Sequence, residues 1–258
     1  MKANYHTHTW RCGHAVGTER EFVEKAIQEG FEILGFSDHV PQPYPKTYTS
    51  PIRMTIEQIP EYTQTLMDLR EEYRDQIKIL IGYEVEFSHK YFQGTMDAIR
   101  EAELDYIILG QHYAPNEIDG FYVGQPSSDE RQLGQYVDLT IEGMETGLFT
   151  YLAHPDLFNF RGSEDVYVRH MTRLIEAANT LGIPLEVNMY GFYDGRNYPN
   201  DTFWQLASDM KAKTIIGCDA HFVRLVTQPE NVPGLIPFLQ KHSLQVGENI
   251  LPLVDPKA

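Results

Sequence analysis

Three imidazoles fall within nine residues at the start of the chain, in Tyr5-His6-Thr7-His8-Thr9-Trp10-Arg11-Cys12-Gly13-His14. Neutral imidazole binds divalent cations and carries protons near neutral pH, so this stretch could form the first corner of a multi-metal hydrolytic site. Alone the motif is weak. With ten histidines in 258 residues, composition by itself gives about 0.4 His-x-His pairs per chain.

Other ligand types recur at equivalent places. His6 and His8 close one expected strand and His14 follows in its loop, while His39, His112, His154 and His221 stand at the ends of four others. Carboxylates accompany them: Asp38 beside His39, Glu84 and Glu86 at a strand end, Asp156 after His154, and Asp219 two residues before His221. Residues two apart on a strand point to the same side, so His6/His8, Glu84/Glu86 and Asp219/His221 can each act as a pair. One histidine at a strand end is more often structural than functional. Seven crowded on one face would repel one another when protonated and lack partners when buried, and divalent cations resolve both problems. Zn, Mn and Fe all accept mixed nitrogen and oxygen ligation. His89, His170 and His242 lie in polar or helical surroundings and read as surface residues.

The elements that must position these groups follow from hydrophobic period and turn punctuation. Short apolar runs predict seven buried strands, over residues 3–7, 33–37, 77–85, 106–110, 149–153, 184–188 and 214–218. Helices are expected between them, over 18–29, 55–74, 92–103, 129–146, 165–181, 201–212 and 234–242, with capping-box openings at Thr18 and Thr55. Gly30 and Gly182 stand where left-handed helix ends belong. Helix-to-strand turns are tight, whereas the strand-to-helix loops at 39–54, 112–128, 154–164, 189–200 and 221–232 are long. In a βα barrel such loops emerge at the C-terminal face, where binding and catalysis reside. The alternation continues without a composition break, which predicts a single α/β domain over residues 1–258.

Composition narrows the partners. A net charge of −16 argues against a broad phosphate-binding surface and therefore against a nucleic-acid substrate. A small phosphorylated molecule stays compatible, because bound cations and one or two arginines make a site locally positive. No apolar run approaches a membrane span of about 18 residues. The start lacks a basic and apolar leader, so the cytoplasm is the expected location and no membrane partner is expected. Two cysteines, Cys12 and Cys218, support no disulfide framework. The oligomeric state is left open.

The runs Cys12-Gly13-His14-Ala15, Gly35-Phe36-Ser37-Asp38-His39, Ile108-Leu109-Gly110-Gln111-His112, Ala153-His154-Pro155-Asp156 and Asp219-Ala220-His221 resemble the polymerase and histidinol phosphatase (PHP) superfamily, and more narrowly its monofunctional histidinol-phosphatase branch. The resemblance runs from Tyr5 to about His221. It implies a distorted seven-stranded (β/α)7 barrel and three divalent metal ions, Zn, Mn or Fe. By the same resemblance, His6, His8, Glu84 and Asp219 hold the first ion, Glu84 bridges to a second held by His112 and His154, and His14, His39 and His221 hold the third. Glu86 and Asp156 fall outside that set and are expected to support it.

The chemistry this implies is hydrolysis of a phosphate monoester, most specifically L-histidinol phosphate, by a hydroxide bridging two cations at Glu84 and Asp219. Asp38 is a candidate proton donor to the leaving oxygen or an orienting partner of His39. Arg161 and Arg196, on strand-to-helix loops, resemble phosphate-binding arginines of that branch; Arg11 and Arg53 are further candidates. Glu186, Asn188 and Trp10, with Tyr190 and Phe192, could contact the amino alcohol and its ring. Two alternatives stand beside this reading: hydrolysis of another small phosphate ester or of phosphotyrosine, and a non-catalytic metal-binding subunit.

Overall fold

Alternation along the strands sorts the apolar residues into two cores. In β3 (Lys78–Val85), Ile79, Ile81, Tyr83 and Val85 join one large cluster, whereas Leu80 joins a second, smaller one on the opposite face. β4 (Tyr106–Leu109) repeats the division, with Ile107 and Leu109 in the large cluster and Tyr106 and Ile108 in the small one. Both faces of these strands are buried, as their near-continuous apolar sequence requires. The computed structural model from which this follows describes residues 1–257.

β1 (Ala3–Asn4), β2 (Ile33–His39), β3 and β4 form a parallel sheet in that order. β7 (Leu185–Asn188) and β8 (Thr214–Gly217) form a parallel pair. Single parallel bridges join these pieces: Leu109 to Leu152, Leu152 to Leu185, and Thr7 to Ala220. The large cluster lies between this curled sheet and the helices α1 (Glu19–Gln28), α2 (Ile59–Glu72), α4 (Glu130–Glu145), α5 (Glu164–Leu181) and α7 (Asp201–Asp209). The shorter α3 (Phe92–Ile99) and α8 (Leu235–Lys241) complete the layer. The small cluster, with Ala3, Tyr5, Tyr106, Tyr151 and Ile215, fills the inside beneath the strands' carboxyl ends.

Expected helix ends are present. Thr18 and Glu21 form the capping box that opens α1, a feature contributing about 1 kcal/mol. Gly30 and Gly182 take the left-handed conformation, at φ 80° and 73°.

Several expectations are corrected. Seven regular strands are not what forms: eight short strands are present, and the run at 149–153 is reduced to a single residue, Leu152, bridged on both sides. The strand expected over 3–7 stops at Asn4, because the Asn4 side chain bonds His6 N, His6 O and Thr7 Oγ1 and takes the place of the ladder. The loop expected over 112–128 contains an antiparallel pair, β5 (Tyr113–Ala114) with β6 (Phe121–Tyr122). A five-residue helix, α6 (Met189–Tyr193), lies in the loop after β7, opened by the Asn188 side chain accepting from Gly191 N. His242 is buried rather than superficial, its Nε2 2.8 Å from Asp201 Oδ1. No helix among the described residues is long and apolar enough to cross a membrane.

Candidate metal centre

The carboxyl ends of the strands converge on Glu84. This residue is fully buried at the end of β3, on the face shared with Leu80. Room for its carboxylate exists because residue 110 is glycine: a Cβ there would overlap the Glu84 carboxyl group. Around it, His154 Nε2 lies 2.7 Å from Oε1, His112 Nε2 3.5 Å, and His6 Nε2 3.7 Å. His39 Nδ1 lies 3.0 Å from Oε2. Asp219 provides the second carboxylate, with Oδ1 3.0 Å from His8 Nε2 and 3.5 Å from His6 Nε2. At the rim, His14 Nε2 and His221 Nε2 face each other at 3.0 Å.

Five of the seven imidazoles are aimed by a partner on the far side. His6 Nδ1 bonds Glu186 Oε1 at 2.8 Å, and His112 Nδ1 bonds Glu86 Oε1 at 3.0 Å. His14 Nδ1 donates to Cys12 O at 2.8 Å and His221 Nδ1 to Asp219 O at 3.1 Å. His8 Nδ1 lies 3.4 Å from Asp38 Oδ1. Anchoring one ring nitrogen turns the other inward, the usual arrangement behind metal-binding imidazoles. Two backbones are strained to achieve this: His154 and Asp219 have φ of 29° and 48°, a cost of about 1–3 kcal/mol each that persists at functional sites.

The electrostatics are those of a cluster that needs cations. Burial pulls His6 down, but Glu186, Asp219 and Glu84 outweigh it and hold the ring up at about 10. His8 is likewise held well up against burial, by Asp219 and Asp38. Burial and the neighbouring His8 push His221 down to about 4, and burial drives His39 well below its usual range. Against burial, the surrounding imidazoles keep Glu84 and Asp219 well below the ordinary carboxylate range. Six buried imidazole and carboxylate atoms of the cluster have no hydrogen-bond partner: His6 Nε2, His8 Nε2, His39 Nδ1, His154 Nδ1, Glu84 Oε2 and Asp219 Oδ1. Leaving buried polar atoms unpaired is costly. Three-residue sets with donor atoms mutually close enough for one ion include His6–His8–Asp219, His6–Glu84–His154 and His14–His39–His221. The donor set therefore fits divalent cations: imidazoles, carboxylates and orienting partners of the required types are present.

A cavity of about 280 Å³ opens over this cluster, lined by His14, His39, His112, Asp219, His221 and Glu84 together with Tyr113, Tyr122, Tyr190, Tyr198 and Arg196. Arg196 packs 4.4 Å over the Tyr190 ring and donates to Tyr198 Oη at 3.3 Å. Tyr113, Tyr122 and Tyr198 were not anticipated. Tyr113 and the adjacent Phe121-Tyr122 flank the Asp119-Gly120 turn without any periodic pattern that marks them.

Other anticipated residues are displaced from the roles their types suggested. Glu186 and Asn188 are fully buried and occupied: Asn188 Nδ2 donates to Glu186 Oε2 and Asp219 Oδ2, both at 3.0 Å, so neither faces the cavity. Asp38 is saturated by Thr9 N, Thr9 Oγ1 and His39 N, which makes it an orienting group rather than a free proton donor. Trp10 is 48% exposed and stacks under Arg11, away from the cavity. Arg11 is buried between Glu19 and Glu61 and is not free for phosphate. Arg53 is buried between Glu86 and Glu117. Arg161 is exposed on an adjacent cleft with Asn159, Glu164 and Asn197, and does not line the cavity. Asp156 lies behind, accepting from Asn200 N and Trp204 Nε1, and burial lifts it to about 7.

Comparison with known proteins agrees with this geometry. The PHP domain model matches residues 4–190. A Deinococcus radiodurans protein named "Probable histidinol-phosphatase" is 28% identical over 229 residues, covering 84% of this chain and 85% of that protein. The histidinol-phosphatase of Bacillus subtilis is 26% identical over 254 residues, covering 86% of this chain and 94% of that one. Among solved structures, histidinol phosphate phosphatase from Lactococcus lactis subsp. lactis, complexed with Zn, L-histidinol and phosphate, is similar in fold. Its TM-score is 0.72 at 18% identity, covering 97% of this chain and 98% of that chain.

Proposed function

The chain belongs to the PHP domain family, and on that premise we propose that it is a metal-dependent phosphate monoester hydrolase converting L-histidinol phosphate to L-histidinol and inorganic phosphate. We read residues 1–258 as one domain, with the bridged ring of strands as a seven-segment barrel. The observation that carries the activity is the convergence of Glu84, Asp219 and seven imidazoles under one open cavity. The substrate follows from the histidinol-phosphatases to which the chain is similar over most of its length.

His6, His8, Glu84 and Asp219 would hold one cation, Glu84, His112 and His154 a second, and His14, His39 and His221 a third, with Zn, Mn and Fe the suitable metals. Bound there, divalent cations supply Lewis acidity toward phosphate oxygens and a water whose pKa falls from about 15.7 toward about 7. The chain's own residues do the rest. Glu186, Glu86 and Asp38 hold the imidazoles of His6, His112 and His8 in one orientation. Arg196, held over Tyr190, presents its guanidinium to phosphate at the cavity wall. Arg161 contributes only if its exposed side chain swings in from the next cleft. Tyr113, Tyr122, Tyr190 and Tyr198 provide aromatic faces for a flat, ring-bearing leaving group and shield the site from water.

Steady-state hydrolysis of histidinol phosphate, tyrosine phosphate and a non-aromatic phosphate ester, each with and without chelator, tests this reading. Chelator-sensitive turnover led by histidinol phosphate is expected. Preference for tyrosine phosphate would move the protein to the phosphotyrosine alternative, and no turnover of any ester would leave a non-catalytic metal-binding protein.

A further inference from the structure

Outside the ligand cluster, a charged group is buried with two carboxylates at Arg53, in the loop between β2 and α2. Its side chain is 1% exposed, and its two carboxylate partners, Glu86 and Glu117, are 3% and 2% exposed. Burying a guanidinium is costly unless its donors are matched, and here they are divided. Arg53 Nη2 lies 2.6 Å from Glu86 Oε1, Nε donates to Glu117 Oε2 at 2.8 Å, and Nη1 reaches Val40 O at 3.4 Å. Tyr44 and Tyr48 donate to Glu117 from the same loop, at 3.1 and 2.8 Å.

The Glu86 oxygen in ion-pair contact with Arg53 Nη2, without the alignment of a hydrogen bond, is the one bonded to His112 Nδ1 at 3.0 Å. The Gln111 amide pins the same segment from the other side, accepting from Phe87 N and donating to Phe87 O, both at 3.1 Å. A carboxylate shared between a guanidinium and an imidazole is held against rotation, and it holds the His112 ring with Nε2 facing Glu84, 3.5 Å from its Oε1.

We propose that Arg53 is a positioning residue for one metal ion, acting through Glu86 on His112 and tying the β2–α2 loop to the centre. Its guanidinium is claimed by two carboxylates and does not line the cavity over the centre, which argues against the phosphate-clamp role its sequence position suggested. The inference rests on the metal-centre reading above.

The test uses Zn2+ alone, titrated into the metal-free full chain against a competing chelator, with folding followed by circular dichroism. Arg53→Met and Glu86→Gln are each expected to weaken one bound equivalent about 10–100-fold, the usual effect of losing an orienting partner, and to leave the others unchanged. The double variant should be no worse than the weaker single, because the two residues act in series. If Arg53→Met does not fold, Arg53→Lys carries the test, with the same single equivalent weakened to a smaller extent. Tyr48→Phe loosens the loop end of the cluster without touching Glu86 and should leave every equivalent intact. Additive losses, uniform weakening of all equivalents, an unchanged titration, or an equal effect of Tyr48→Phe would each overturn the proposal. Failure of the wild-type chain to bind Zn2+ would instead remove the metal-centre reading on which it stands.

Discussion

Glu186 Oε1 accepts a hydrogen bond from His6 Nδ1 at 2.8 Å while remaining fully buried beneath the ligand cluster. A carboxylate whose type and strand-end position suggested contact with substrate thus orients a metal-type ligand. Its oxygens also receive His154 N and Asn188 Nδ2, and its place depends on Gly217, where a Cβ would overlap it.

Glu186→Gln should therefore lower metal affinity and kcat about 10–100-fold, the range seen when orienting partners are lost, and leave KM for histidinol phosphate nearly unchanged. Kinetics at saturating metal separate the roles. A large rise in KM with kcat intact would return Glu186 to the substrate.

Gly110→Ala places a methyl group where the Glu84 carboxylate sits. Overpacking of this kind costs about 1–3 kcal/mol, and displacement of Glu84 disturbs the carboxylate on which two of the proposed ion sites depend. Loss of nearly all turnover is expected in a protein that still melts cooperatively at a lower temperature. Full activity would show that the strand can yield at residue 110.

Metal binding should release protons. In the metal-free protein His6 is held at about 10 and His8 well above its ordinary value, so both carry protons at pH 7. A cation takes only the neutral ring and must displace them. Apparent affinity should then rise with pH from 6 toward about 10. Calorimetric titration at pH 7 in two buffers of different ionisation enthalpy should show heats that differ in proportion to the protons released. Identical heats would mean that these imidazoles are already neutral.

Arg196→Ala should lower kcat/KM for phosphate monoesters about 100-fold, as loss of a preorganised charged donor does, without changing the number of Zn2+ equivalents bound. Arg196→Lys should recover only part of it, because an ammonium lacks the planar fork. If both variants retain wild-type kcat/KM, phosphate is held by the cations and other groups.

Much of the scaffold was legible in sequence because it rests on local rules. Short apolar runs marked most of the strands, the Thr18 and Glu21 pair marked the start of α1, and Gly30 and Gly182 marked turns that need a left-handed residue. The gathering of metal-ligand residue types was legible for a related reason. His6, His8, His39, Glu84, His112, His154, Asp219 and His221 lie at or just past strand ends, and parallel strands in one curled sheet bring those ends together.

Which of two similar groups faces the cavity was not legible. Glu84 and Glu86 stand two apart on one chain, yet one meets five imidazoles and the other is spent between His112 and Arg53. Arg196 lines the cavity while Arg53 is buried behind it and Arg161 lies one cleft away. Residue types and local spacing determined which side chains could bind metal or phosphate. Only the tertiary structure decided which of them has an open side, because exposure and hydrogen-bond partners come from segments distant in the chain, and a buried charge is claimed by whichever partner packs against it.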